Sequence, residues 1–241
     1  MRCLTATNIG LVRDENQDEV FAKDYGGCIL AVVCDGMGGE RSGSQASAIA
    51  VREFFDHFTA GYHEGLDAEQ IRILLLSSIS AANSVIYTTA RMDYQSYGMG
   101  TTCVAAFVEP DYISVANVGD SRAYIVEDGQ MRQITSDHTV VNMLYQQGKI
   151  DREQMRSHPQ RNMLTRAVGV ERVVHPDYYR IAHGRDFLLL LCSDGLSGCC
   201  EDFEILNTLQ HNTFAQMPKA LVHLALEKGG RDNVSLAVVT K

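Results

Sequence analysis

Apolar positions along the chain follow two rhythms. Residues 28–34 (CILAVVC) and 187–192 (FLLLLC) are short unbroken apolar runs. A run of that length without alternation predicts a strand covered on both faces. Residues 103–108, 112–118, 122–127 and 233–239 also read as strands. In YISVANV, alternation puts Ile113 and Val115 on one face, and Tyr112, Ser114, Ala116 and Val118 on the other. RAYIVEDGQMRQI reads as a hairpin turning at Asp128-Gly129.

The second rhythm is helical. From Ser42, Ala46, Ile49, Ala50, Phe54 and Phe58 share a face, and Ser42 with Gln45 fits a capping box. From Asp67, Ile71, Leu74, Leu75, Ala82 and Ile86 recur at the same spacing. Two late helices are expected. One follows Asp202, with Phe203, Leu206 and Leu209 as its apolar residues. The other follows Met217, with Pro218 in its first turn and Gly229 beyond its end. Residues 136–169 are the least regular stretch and are expected to lie over a site as a mobile segment. Strands and helices come in blocks, without βαβ alternation, so the fold class is α+β. Largely antiparallel sheets pack together, with helix pairs outside. No linker stands out, and residues 1–241 read as one domain.

Composition narrows the function. A chain of 241 residues buries roughly 75% of its extended surface, so it needs no disulfide or metal merely to fold. The net charge is −9 and no Lys/Arg cluster stands out, which disfavours nucleic acid. None of the seven cysteines forms a CxxC, and most lie in apolar runs. They read as buried free thiols in a reducing cytoplasm. The first residues lack an apolar signal core, and FLLLLC is too short to span a bilayer. A soluble cytoplasmic protein is expected, as is a monomer. The methionines at helical spacing read as core.

Four aspartates stand at strand margins. Asp35 and Asp194 each follow an apolar run and precede glycine, in CDGMGG and CSDGLSG. Asp232 leads into the last strand, and Asp18 into an early one. Asp-Gly is also ordinary hairpin chemistry, as at Asp128-Gly129. After Asp35 and Asp194, however, the chain reads as helical, with no returning strand. If the four converge, they cannot all stay ionised in a dry pocket without compensating charge. Divalent cations would supply it. Apart from Cys34 and Cys192, no histidine or cysteine lies in these motifs, and no HExxH occurs. Zinc is therefore disfavoured, and oxygen ligands favour Mg²⁺ or Mn²⁺. The glycines are expected to let a carbonyl or water approach the ion. Two such ions roughly 3.5–4 Å apart suit phosphoryl transfer. Arg13, five residues before Asp18, is the candidate phosphate clamp, because guanidinium binds phosphate oxygens bidentately.

The segments GLVRDENQD, VVCDGMGG, GMGTTCVAAF, ANVGDSRAYI, TSDHT, LTRAVG, LCSDGLSG and RDNVSLAVV occur in that order. The ordered set resembles the metal-dependent protein phosphatase 2C family of serine/threonine phosphatases, over about residues 5–239. The short chain and Met37 after the first Asp-Gly resemble its bacterial branch. The resemblance implies a four-layer α/β/β/α sandwich, with two mostly antiparallel sheets flanked by helix pairs. It implies that Asp35 bridges two Mn²⁺ or Mg²⁺ ions and that the Gly36 carbonyl binds one of them. Asp194 and Asp232 would be direct ligands, and Asp18 would act through waters. Asp120, with Asp194, would hold a third ion. Arg13 would bind the substrate phosphate, Asn233 and Asp137 would support the ligands, and 136–169 would include a flap. Two departures stand out. Met37 occupies the place of a histidine that many eukaryotic relatives offer as a general acid, and Gln17 replaces an acid found in some relatives.

The reading is therefore hydrolysis of protein phosphoserine and phosphothreonine by a water or hydroxide between two metal ions, with no phosphoenzyme. Its partners would be phosphoproteins, a serine/threonine kinase and that kinase's substrates. A non-catalytic phosphoprotein-binding module on the same fold is the alternative. Its mark would be loss of a metal aspartate, and none is lost. A nucleotide loop at GMGGERSG fails, because the third glycine of GxGxxG would fall at Arg41 and no GK[ST] follows. His138 reads as structural.

Overall fold

In the computed structural model, which describes residues 1–38, 42–92, 96 and 98–241, the chain opens with three strands: β1 (Arg2–Asn8), β2 (Asp18–Asp24) and β3 (Ile29–Met37). Two long helices follow, α1 (Ser42–Gly61) and α2 (Ala68–Met92). Next come β4 (Gly100–Thr101), β5 (Cys103–Val108), β6 (Tyr112–Val118), β7 (Arg122–Glu127) and β8 (Gln130–Gln133). Short helices α3 (Val140–Gln146) and α4 (Arg152–Ser157) lead to β9 (Asp177–Ala182) and β10 (Leu188–Cys192). The chain closes with α5 (Asp194–Ser197), α6 (Asp202–Gln210), α7 (Met217–Glu227) and β11 (Val234–Thr240).

One sheet has the order β1-β11-β10-β7-β8. The other has β2-β3-β5-β6-β9, with β4 paired to β3. The strand pairs are antiparallel. Between the sheets lie Ile29, Ala31 and Val33 of β3, Val104 and Ala106 of β5, Leu189 and Leu191 of β10, and Ala237 and Val239 of β11. Their sequence neighbours point the other way. Leu30, Val32, Cys34, Ala105 and Phe107 meet the apolar faces of α1 and α2. Leu190, Cys192, Leu236 and Val238 meet Ile205, Leu209, Leu221 and Ala225 of α6 and α7. The unbroken runs are thus strands dry on both faces, and each buried aliphatic side chain contributes roughly 1.5–3 kcal/mol. The layers follow the expected α/β/β/α order. Ile113 and Val115 lie between the sheets while Ala116 and Val118 face the helices, as the alternation requires.

Several expectations change. Asp35 and Gly36 do not follow a strand but lie within β3, opposite Asp18 and Thr101. The buried face of α6 is Ile205 and Leu209, and Phe203 is exposed. Ser42 is already helical, and Gln45 Oε1 accepts from Ser96 Oγ (3.3 Å). The reciprocal box forms instead at α2, between Asp67 and Gln70. Met99 is core, whereas Met92, Met143 and Met163 are exposed. Cys199 is exposed too, unlike the buried Cys34, Cys103, Cys192 and Cys200. By length and composition α2 is apolar enough to cross a bilayer, but Ile71, Leu75, Ile79 and Ile86 of it are buried in the core against β5 and β6. Strands β1 and β9 escaped the periodicity because they are sheet edges, where burial is partial and alternation blurs.

Antiparallel register decides where the acids go. The end of β10 pairs with the starts of β11 and β7, through Cys192↔Leu236 and Cys192↔Arg122. The end of β1 pairs with the start of β11, through Asn8↔Val234. In the other sheet, the start of β2 pairs with β3 near its end. The segments beyond these strand ends carry Arg13, Asp120, Asp194 and Asp232 to one place.

Candidate metal centre

At this end of the sheets lies an open cleft of about 1060 Å³. Asp35, Gly36, Asp120, Asp194, Asp232, Asn233 and Arg13 line it. Asp18 and Asp137, also singled out from the sequence, do not.

Asp35 is held by its backbone. Its N–H donates to Thr102 Oγ1 (2.9 Å), and its carbonyl accepts from Thr102 N (2.8 Å) and Thr101 Oγ1 (2.8 Å). Burial pushes its carboxyl well above the ordinary range, and Asp18, Asp194 and Asp120 push it further. Asp194 opens α5, and its carboxyl is raised by burial and by Asp232. Each of Asp35 and Asp194 bears on the titration of the other. Asp120, between β6 and β7, is raised to about 8 by burial and by Asp194 and Asp137.

Asp18 lies beneath the cleft, 5% exposed. Ser193 Oγ donates to its Oδ2 (2.7 Å) and joins the two sheets at this end. Its Oδ1 is buried without a hydrogen-bond partner. Burial raises its pKa to about 7. An orphaned oxygen of this kind is costly unless a cation or water satisfies it.

Arg13 does not stand free for an anion. Its guanidinium donates to Asp232 Oδ2 (2.7 Å), with Arg13 54% and Asp232 36% exposed. Asn233 pins the loop that carries Arg13. Its Oδ1 accepts from Gln17 N (2.8 Å), and its Nδ2 donates to Ile9 O (2.9 Å) and Glu15 O (3.0 Å). Asp137 turns away from the cleft and accepts from Arg122 Nε (3.0 Å) and Nη2 (2.7 Å) and from Gln133 (2.8 Å). His138 is buried. Its Nδ1 accepts from Gly119 N (3.0 Å) and its Nε2 faces Asp177 (3.1 Å), so it braces the residue before Asp120.

The glycines after the two aspartates also answer a steric need. A Cβ on Gly36 would run into the Gly43 carbonyl and come within 2.6 Å of Gln17 O. A Cβ on Gly195 would run into the Asn233 carbonyl. Each glycine lets two backbones touch. Of the irregular stretch 136–169, Asn162, Met163 and Leu164 reach the cleft. It is tied down by Val140 N to Met163 O (2.9 Å) and Thr165 N to His138 O (2.8 Å). Gly39, Glu40 and Arg41 of the glycine-rich stretch lie outside the described residues. Thr102 and Ser193 were not picked out from the sequence. Their signal was a hydroxyl in GTT, and one immediately before Asp194.

Asp18, Asp35, Asp120, Asp194 and Asp232 thus crowd one region, with Asp14 and Glu15 also on the cleft wall and one half-exposed guanidinium opening onto it. Among the described residues no three acidic, histidine or cysteine side chains gather at one ligating point. Carboxylates that repel do not close up unaided. Oxygen donors, raised carboxyl pKa values and the orphaned Asp18 oxygen all fit a hard divalent cation. Among the described residues no histidine lines the cleft, and Met37 offers no proton.

The family model described as protein phosphatase 2C matches residues 12–235. The chain is 36% identical over 238 residues to the serine/threonine phosphatase stp of Listeria innocua serovar 6a, covering 98% of this chain and 94% of that one. It is similar to the crystal structure of serine/threonine phosphatase Stp1 from Staphylococcus aureus, with TM-score 0.92 and 36% identity over 99% of this chain and 94% of that one. It is also similar to a catalytic domain of serine/threonine protein phosphatase PstP solved with two manganese ions. There the TM-score is 0.84 and the identity 32%, over 98% of this chain and 96% of that one.

Proposed function

Because the chain belongs to the protein phosphatase 2C family, we propose that it hydrolyses phosphoserine and phosphothreonine esters of proteins at the carboxylate cleft, with Mn²⁺ or Mg²⁺ as cofactor. It would thereby reverse a serine/threonine kinase. The observation that carries this is the meeting of Asp35, Asp120, Asp194 and Asp232, from four separate segments, with Arg13 on one cleft.

Asp35, Asp194, Asp232 and the Gly36 carbonyl would hold two ions, Asp120 would help to hold a third, and Asp18 would steady the set from beneath. Such ions supply the positive charge that activates a water and polarises phosphate oxygens. The protein's own residues do the rest. Thr101 and Thr102 fix the backbone of Asp35. Asn233 holds the 9–17 loop so that Arg13 stands at the cleft mouth. There its guanidinium exchanges Asp232 for the substrate phosphate, a bidentate match in shape and charge. The unpaired cysteines favour a reducing, cytoplasmic setting, and we place the protein there as a monomer.

The test is phosphate release from a phosphothreonine peptide. Turnover is expected to require Mn²⁺ or Mg²⁺ and to stop with chelator. Asp35→Asn is expected to lower kcat/KM at least ~100-fold, since even residues behind metal ligands are worth ~10–100-fold. Full activity in that variant, or in chelator, would refute the mechanism.

A further inference from the structure

The cleft does not end at the carboxylates. Beyond Met37 it continues into a second cavity of about 340 Å³, whose aliphatic wall is Met37, Leu164, Ala167, Val170, Val173 and Val174. Met37 and Leu164 belong to both. The partition between them is packed over a glycine. A Cβ on Gly100 would stand 2.8 Å from Val170 Cγ2 and 2.9 Å from Met37 Cε. The two side chains therefore close over a bare Cα. Alternation along β3 puts Asp35 and Met37 on one face, about 7 Å apart along the strand.

The groove is open and its lining is mixed, aliphatic side chains lying next to Thr165, Arg166, Glu171 and His175. Val170 is 44% and Val173 59% exposed, while Val174 beneath them is buried in the helix-side core. Arg166, at the same groove, is already engaged by Asp177 Oδ1 (2.6 Å) and the His175 carbonyl (2.7 Å). The aliphatic part of the surface left for a ligand is Met37, Val170 and Val173, with Glu171 and His175 beside it.

We propose that this groove receives an aliphatic side chain of the phosphoprotein substrate, within about three residues of the phosphorylated one. Met37, Val170 and Val173 then set the sequence preference. The inference rests on the phosphatase reading and deepens it. The occupant follows from continuity. A phosphorylated side chain entering the carboxylate cleft brings its flanking residues over the rim, and the rim on the Met37 side is this groove. An extended peptide advances ~3.3 Å per residue, so it reaches Val170 within two or three residues. Covering Val170 and Val173 with an aliphatic group removes apolar surface from water. Met37 thus has work that a histidine there would not do. It separates the two spaces and presents a flexible apolar wall to the peptide.

The test uses the manganese-loaded full chain. Phosphothreonine peptides carry either leucine or serine at one scanned position, up to three residues on each side. p-Nitrophenyl phosphate, which has no flanking residue, is the reference. At one position the leucine peptide is expected to give ~10-fold higher kcat/KM, mainly through KM. Val173→Asp and the near-isosteric Val170→Thr should each bring that ratio towards 1. Each rate is divided by the same variant's p-nitrophenyl phosphate rate, so any loss of folded protein cancels. Turnover without leucine preference at any scanned position, or a preference unchanged in both variants, overturns the groove proposal alone. No phosphate from any substrate overturns the phosphatase reading and this inference with it.

Discussion

Arg13 and Asp232 show how one contact bears on the proposed chemistry. Their ion pair is largely exposed, so it contributes little to stability. A cation and a phosphate would each draw one partner away from the other. Arg13→Ala is expected to raise the KM for a phosphothreonine peptide about tenfold or more, the worth of a charge-assisted hydrogen bond. It should not weaken Mn²⁺ binding measured by calorimetry, because the guanidinium competes for Asp232. Weaker Mn²⁺ binding with an unchanged KM would instead make Arg13 a support for that carboxylate. The sequence singled out both residues, but not their pairing across 219 positions.

Among the elements, the joints between strands and helices are held by glycine. Gly195 touches the Asn233 backbone, and Gly36 touches the first turn of α1. An added methyl group has nowhere to go, and overpacking costs about 1–3 kcal/mol. Gly195→Ala is therefore expected to lower Tm by ~5 °C or more, since ~1 kcal/mol moves Tm by about 2–4 °C in a chain of this size. Lost activity with an unchanged Tm would mean that the glycine serves the approach to an ion and not this packing. The Asp-Gly pairs were conspicuous in the sequence, yet the reason for them was not. The neighbour that excludes a side chain at Gly195 comes from residue 233.

For the molecule as a whole, acids gathered at one end of two sheets set a pH dependence. Asp18 is raised from an ordinary value of 3.8 to about 7, and Asp120 to about 8. A carboxyl whose pKa rises on folding stabilises the fold most below its unfolded pKa, and that stability is lost as pH rises through the folded value. Chelator-treated protein is therefore expected to show a falling Tm between pH 5 and pH 8. Mn²⁺ should reverse the fall, because it binds the folded site. A Tm that rises across this window without metal would mean that these acids are not crowded in solution. At this scale the layer order was legible, because apolar runs announce strands dry on both faces. The edges β1 and β9, half exposed, did not announce themselves.

The sequence by itself determined which faces are dry, which residue types could hold a hard cation, and the ordered motifs that resemble one phosphatase family. These are local properties. Alternation, helical spacing and donor chemistry are written within a few residues of one another. Only the tertiary structure decided that Asp18 lies beneath the cleft and Asp137 behind Arg122, that Arg13 leans on Asp232, and that Met37 divides the carboxylates from a second groove. Those facts depend on register between strands far apart in the chain. Register is set by the packing of both sheets together, and no short window of sequence contains it.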